Sequence, residues 1–524
     1  MVALSVGKKS ELGVLSSMLA KTVWAVGLVA ILASCGGSPG YSYTVGGTIS
    51  GLFGSGLVLQ NNAGDDRNIS ADGAFSFRTP LVNGAAYAVT IKTQPGVLSQ
   101  TCTISNGNGI VAAVPVNNVV VSCVTPPPHS VTVDPSGEFA YVANTGSNNI
   151  SAYTIDSTGA LTAIAGSPFA AGTKPYSVTI DPSGQFAYVA NTGDNTISAY
   201  TIDSTGALTA IAGSPFATGM APYFVTVDPS GKFAYVANTG DNTASVYYGY
   251  STISAYTIDS VTGALTPITG SPFFAGRNPY FVTIDPSGQF AYAANYSDNT
   301  ISAYTIEAGP TPAAGTLIPI AGSPFAFATG TNPYSVTIDP SGKFAYVANK
   351  GSNNISAYTI DPTTGAFTAG TVVAAGTKPY FVTVDPSGKF AYVANTGDNT
   401  ISAYTINSST GVLTPITGSP FAAGTTPYFV TVDPSGKFAY AANTGSNNIS
   451  AYTISSSTGV LTPITGSPFA AGTNPSSVTV DPSGQFAYTA NYSDNNISAY
   501  TIASSTGVLT DIAGSPFAAG MNPY

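Results

Sequence analysis

The tetrapeptide Asp-Pro-Ser-Gly returns eight times along the chain, at Asp134, Asp181, Asp228, Asp285, Asp339, Asp385, Asp433 and Asp481. The intervals are 47, 47, 57, 54, 46, 48 and 48 residues, and self-similarity at such a period marks an array of structural repeats. Each repeat holds four strand-like runs, as in YSVTI, QFAYVAN, TISAYTI and ALTAIAG of the second, punctuated by DPSG, TGDN and DSTG. Four strands with tight turns in so short a unit leave no room for a helix. A lone four-stranded sheet cannot bury both faces, yet Phe186, Ala187, Tyr188, Val189 and Ala190 are apolar at odd and even positions alike, so both faces must be covered. Radial packing, each sheet sandwiched by its neighbours, meets that demand. The expected fold is all-β: a β-propeller of four-stranded blades, eight repeats giving eight blades.

Composition agrees. Of 524 residues 44% are apolar and only 7% charged, with 31 Tyr and 25 Phe, which is too aromatic and too weakly charged for a disordered chain. The net charge is −10, with no basic stripe, so nucleic acid is not an expected partner. WD repeats are excluded, because the single Trp, Trp24, lies near the N-terminus.

The run FAYVANTGDNTISAYTI resembles the YVTN-repeat family of propellers, with Tyr-Val-Ala-Asn in place of Tyr-Val-Thr-Asn. The resemblance implies kinship with bacterial and archaeal surface-layer proteins and, more broadly, with propeller lactonases of the phosphogluconolactonase type. Such propellers usually have seven blades, so either this ring has eight or one unit lies outside it. The units run from innermost to outermost strand, which predicts closure by side-chain packing between first and last blades, with no strand borrowed from the other terminus.

Ahead of the repeats, Lys8, Lys9 and Lys21 precede the apolar run TVWAVGLVAIL and then LASCGG, the pattern of a secretory signal. LASC resembles the bacterial lipobox, which implies lipidation of Cys35 and attachment to a membrane leaflet, the outer membrane's because Gly36 follows. Residues 1–34 then form the signal peptide and 35–42 an anchor linker. Residues 43–124 alternate apolar and polar positions between turn signals, as a small β-sandwich would, and resemble immunoglobulin-like or transthyretin-like modules behind lipoprotein anchors. Residues 125–128, TPPP, form a stiff hinge, and 129–524 the propeller. With Cys35 set apart, Cys102 and Cys123 remain as an even pair in an exported protein, the arithmetic of a disulfide.

Candidate functional residues were weighed by symmetry. The eight DPSG aspartates suit position i of a type I turn, and eight equivalents point to structure rather than catalysis. The TGDN turns carry Asp194, Asp241, Asp298, Asp398 and Asp494, but Ser147, Ser352 and Ser446 in the other units, which favours an Asx turn over calcium binding. No cofactor or metal is otherwise expected. Tyr176, Tyr223, Tyr280, Tyr334, Tyr380 and Tyr428 follow a recurring Pro, and Ser476 breaks the series. They either line one mouth of the ring or pack between adjacent blades. The same face carries Lys174, Arg277 and Lys378, and an insertion in the third unit brings Tyr247, Tyr248 and Tyr250. These tyrosines and Arg277 are the candidate partner-binding edge. No catalytic residue is identified, since the sole histidine, His129, falls at the hinge. The favoured expectation is a non-enzymatic, lipid-anchored envelope propeller binding a protein or glycan or building a surface layer; the alternative is a lactonase-like hydrolase.

Overall fold

The computed structural model describes residues 41–50, 57–70, 73–93, 101–124, 131–240, 251–309, 313–326 and 330–523. Cys35, His129, Asp241, Tyr247, Tyr248 and Tyr250 lie outside these residues. The chain divides into a smaller compact unit ending at Val124 and a larger one dominated by Thr125–Tyr524.

In the smaller unit one sheet runs in the order Gly73–Ser76, Val45–Ser50, Val116–Val124, Thr101–Ser105, and a second in the order Asp65–Ile69, Leu57–Asn61, Ala86–Thr93, Asn108–Ile110. Alternate residues of both sheets, among them Val45, Leu57, Leu59, Val119 and Val121, fill one core. Backbone pairing sets Cys123 opposite Cys102.

Each repeat of the larger unit is one antiparallel sheet. In the second, Pro175–Ile180, Phe186–Asn191, Thr196–Ile202 and Leu208–Ala210 follow in order, and Phe216–Ala217 adds to the third strand. The break before Phe216 is a Ser-Pro corner whose Ser214 hydroxyl accepts the Ala199 N–H at 2.9 Å. Eight such sheets follow one another among the described residues, numbered here as blades 1–8. Their second strands are buried on both faces: Phe186–Asn191 is buried at all six positions. Phe186, Tyr188 and Ala190 of blade 2 share a core with Val225, Ala234 and Val236 of blade 3, and Val131, Ala140 and Val142 of blade 1 share one with Tyr488, Ala490 and Ile497 of blade 8.

Two circular series of hydrogen bonds join the sheets. A threonine of each innermost strand donates to a backbone carbonyl of the next blade, from Thr132 to Val178 at 2.8 Å round to Thr479 to Val131 at 2.7 Å. The tyrosine of each second strand donates to a glycine carbonyl of the next blade, from Tyr141 to Gly206 round to Tyr488 to Gly159, both at 2.9 Å. Each bond adds about 1 kcal/mol and fixes the angle between neighbours.

The expectation of closure by side chains alone is corrected by the chain end. Pro523 bridges Asn144 of blade 1, and the N–H groups of Thr145 and Gly146 donate to the Asn522 and Met521 carbonyls at 3.1 and 3.0 Å. In blade 2 the equivalent bridge, Pro175 to Asn191, is internal. The first repeat has Pro127-Pro128-His129 where blade 2 has Lys174-Pro175-Tyr176, and residues 521–523 make the equivalent bridge to blade 1.

The DPSG turns are punctuation. In blade 6, Asp385 Oδ2 accepts the Ser387 N–H at 3.1 Å, and Oδ1 accepts the N–H groups of Lys389 and Phe390 at 2.8 and 2.7 Å. Gly388 N–H closes the turn on the Asp385 carbonyl at 2.9 Å. The same arrangement recurs at all eight positions, each Asp no more than 5% exposed. The carboxylates are saturated with local donors and face no substrate.

Candidate functional site

One face of the larger unit is built by the entries to the innermost strands and by the turns between second and third strands. The residue before each entry proline has positive φ, as at Lys174, Ala221, Asn278, Asn332, Lys378 and Thr426. The pairing then shifts register between Pro175 and Ser177, and at the same place in blades 3, 5, 6 and 7. Such a bulge re-aims the extra residue, here the tyrosine after the proline.

The six tyrosines consequently leave the regular alternation. Tyr176, Tyr223, Tyr280, Tyr334 and Tyr380 are no more than 2% exposed, and with half-buried Tyr428 they form one cluster of their own. Ring centroids lie 4.1 Å apart for Tyr176 and Tyr223, 4.9 Å for Tyr280 and Tyr334, and 4.0 Å for Tyr334 and Tyr380. The Tyr223 and Tyr334 hydroxyls meet at 3.3 Å, although blade 4 separates their strands. The rings therefore converge on the axis and plug it. They do not line an open mouth; contacts between rings of adjacent blades, the other expected arrangement, are made at the axis. Burial pushes the Tyr428 hydroxyl up to about 12 and those of Tyr223, Tyr334 and Tyr380 well above their ordinary value, so they stay protonated donors at neutral pH.

The TGDN turns tie this face together. Oδ2 of Asp194, Asp298, Asp398 and Asp494 accepts the N–H of Thr173, Arg277, Thr377 and Thr473, at 2.6 to 2.8 Å. Ser352 and Ser446 hydroxyls accept the equivalent N–H groups of Thr331 and Thr425 at 3.0 and 2.9 Å. Asp and Ser interchange because each supplies one acceptor to the same backbone donor. Among the described residues, no group of three or more His, Cys, Asp or Glu side chains gathers as a metal site would require.

Of the cations singled out from sequence, Arg277 Nε pairs with Asp298 Oδ1 at 2.6 Å, its side chain 64% exposed. It edges a groove of about 500 Å³ between blades 3 and 4, lined also by exposed Phe274 and Pro319 and by buried Tyr304. Lys174 is half-buried and Lys378 exposed.

The residue that breaks the symmetry of the mouth is Lys350, which the sequence reading passed over. It follows the Asn that ends the second strand of blade 5. The equivalent residues of blades 1, 2, 3, 6 and 7 are Thr145, Thr192, Thr239, Thr396 and Thr444, whose hydroxyls donate to backbone carbonyls of strand entries at 2.8 to 3.1 Å. Blades 4 and 8 have Tyr296 and Tyr492. Only blade 5 places a cation there, and comparing this one position across the eight repeats would have exposed it. Lys350 Nζ stands 5.0 Å from the centre of the Tyr380 ring. The side chain is half-buried, and burial together with the nearby Lys378 ammonium brings its amine down to about 8. Lys378 and Tyr380 are the titratable groups recorded beside it. A half-exposed amine that is partly neutral near pH 7, above a floor of phenols, is suited to taking a proton from water.

Comparison with known proteins decides between the two functional expectations. Residues 123–317 and 205–521 match the family model of the lactonase seven-bladed β-propellers. The chain belongs to that family. Two overlapping matches are what a seven-blade pattern gives when laid along eight similar repeats. This membership corrects the expectation of a non-enzymatic envelope binding module: the lactonase family is one of hydrolases. Solved structures agree on the fold. A putative 6-phosphogluconolactonase from Bacteroides uniformis is 22% identical over 64% of this chain and 95% of its own, with a TM-score of 0.50. The periplasmic gluconolactonase of Pseudomonas aeruginosa is 18% identical over 64% of this chain and 96% of its own, also at 0.50. Sqt1 of Chaetomium thermophilum, at 12% identity over 69% and 94%, reaches 0.51, so at such distances the likeness shows the fold alone. No curated protein matches this chain in sequence.

Proposed function

We propose that this lactonase-family chain hydrolyses a sugar lactone at the axial mouth around Lys350. The observation that carries the reading is that the position after the second strand departs from its Thr and Tyr pattern at one blade only, with an amine brought down to about 8 by burial and the Lys378 ammonium. A catalytic group is needed once, and Lys350 is a cation found at this position in one blade only. The neutral Lys350 amine takes a proton from a water molecule as that water attacks the lactone carbonyl carbon. When the ring C–O bond breaks, the ammonium returns the proton to the departing oxygen, leaving a hydroxy acid. The buried tyrosine plug closes the floor. The Lys378 ammonium suits an anionic substituent, in keeping with the sugar and phosphosugar lactones for which the structural relatives are named.

The test is turnover of glucono-δ-lactone and its 6-phosphate by the purified chain and by Lys350→Met. General-base loss predicts a fall of about 10²-fold or more. Equal turnover by the two proteins, with the fold intact, would remove Lys350 from the chemistry.

The setting of this activity forms part of the proposal. The circular hydrogen bonds and the core shared by the first and last blades support a closed ring of eight blades, one more than the family's usual number. The LASC sequence supports a lipid anchor at Cys35 and a place in the cell envelope. The opposed backbone positions of Cys102 and Cys123 suit a disulfide, and the two-sheet unit an immunoglobulin-like spacer.

A further inference from the structure

Lys350 has no carboxylate of its own. The turn that carries it has Ser352 where the turns of blades 2, 4, 6 and 8 have Asp194, Asp298, Asp398 and Asp494, so the acid that could pair with the ammonium is missing from the one blade that has the lysine. The two ion pairs found among the described residues engage Lys92 and Arg277. The other lysines of the repeats differ from it. Lys232, Lys343, Lys389 and Lys437 each follow a DPSG turn and are exposed, as is Lys378, while half-buried Lys174 belongs to a strand entry and not to the turn after a second strand. Among the described residues Lys350 combines shelter with a second cation, Lys378, that depresses its proton affinity, and its Nζ lies 5.0 Å from the centre of the Tyr380 ring.

Those are the conditions under which a lysine becomes a nucleophile toward carbonyl carbon. We propose that Lys350 is a carbonyl-reactive amine that forms an imine with anionic aldehydes and ketones, the exposed Lys378 ammonium holding the anion. The amine nitrogen bonds the carbonyl carbon to give a carbinolamine. Its C–O bond then breaks, one water leaves, and a C=N bond remains; no oxidant or reductant takes part. The inference rests on the placement of the site around Lys350 and does not require lactone turnover. It gives the mouth a second chemistry, reversible capture of carbonyl metabolites bearing a phosphate or carboxylate.

The experiment exposes the purified chain at pH 7.5 to pyridoxal 5′-phosphate, traps imines with cyanoborohydride and reads each lysine by peptide mass spectrometry. The peptide carrying Lys350 is expected to label at least about tenfold faster than those carrying Lys232, Lys343, Lys389 or Lys437. Inorganic phosphate should slow that label, and Lys378→Met should weaken it while the surface lysines keep their rates. Lys350→Arg should abolish it and leave the remaining labels unchanged. Labelling of Lys350 at the rate of the surface lysines overturns the proposal. Fast labelling of Lys350 without any lactone turnover would refute the hydrolase reading and leave this one standing; turnover without selective labelling would do the reverse.

Discussion

Asp385 and Lys350 show what a single residue in a repeat can and cannot reveal. The aspartate's role was legible because it recurs: eight copies in the same tetrapeptide describe a turn, and each carboxylate proves occupied by local donors. Lys350 was obscured by the same regularity. It occupies a position that is otherwise Thr or Tyr, so a search for recurring motifs passes over it, whereas a search for the exception finds it. The tyrosines' place on the axis was hidden for a different reason: a bulge after the entry proline adds one residue and re-aims the side chain that follows, which the recurring Pro-Tyr motif does not show. The environment of Lys350 has a measurable consequence. Its amine is lowered to about 8 from an ordinary 10.5, so between these values the unfolded chain binds more protons and stability rises with pH. Below pH 8 the folded protein bears the whole cost of holding the charge. Lys350→Met should therefore be more stable than the parent at pH 7, by about 1–3 kcal/mol, and the difference should vanish by about pH 11. Denaturant titrations at both pH values measure it, and a variant less stable at pH 7 would show that the ammonium is well solvated.

At the scale of strands, the four runs of each repeat and their order were readable from the spacing of turn signals and from the two-sided apolar pattern of Phe186–Asn191. The latch was not. The last residues look like the start of a ninth repeat, and only the backbone geometry shows that Asn522 and Pro523 complete the first blade, whose own entry lacks the motif. If these residues close the ring, a chain ending at Ala518 should lose hydrogen-exchange protection at the Thr145 and Gly146 amides, which donate to Asn522 and Met521. The amides of Thr192 and Gly193, bonded within blade 2, should keep theirs. Unchanged protection at Thr145 and Gly146 would mean that blade 1 stands without the latch.

For the whole molecule, near-identity of the repeats supported the propeller and also suggested the wrong function. Repetition pointed to structure at the DPSG turns, and with the sole histidine at the hinge no catalytic residue stood out. The family match shows that uniformity and a lactonase ancestry coexist, and the structure suggests how. Packing and turn residues stay constant because every interface between blades makes the same demands, while one substitution at the mouth is enough to introduce a base. The direct test is the pH dependence of kcat/KM for glucono-δ-lactone, corrected for uncatalysed opening, in the parent, Lys350→Met and Lys350→Arg. With the neutral amine as base, the parent's rate should rise with pH and level off above about pH 8, and both variants should be slower by about 10²-fold or more, arginine because it does not give up its proton. A profile flat from pH 6 to 10, or an arginine variant matching the parent, would contradict the account.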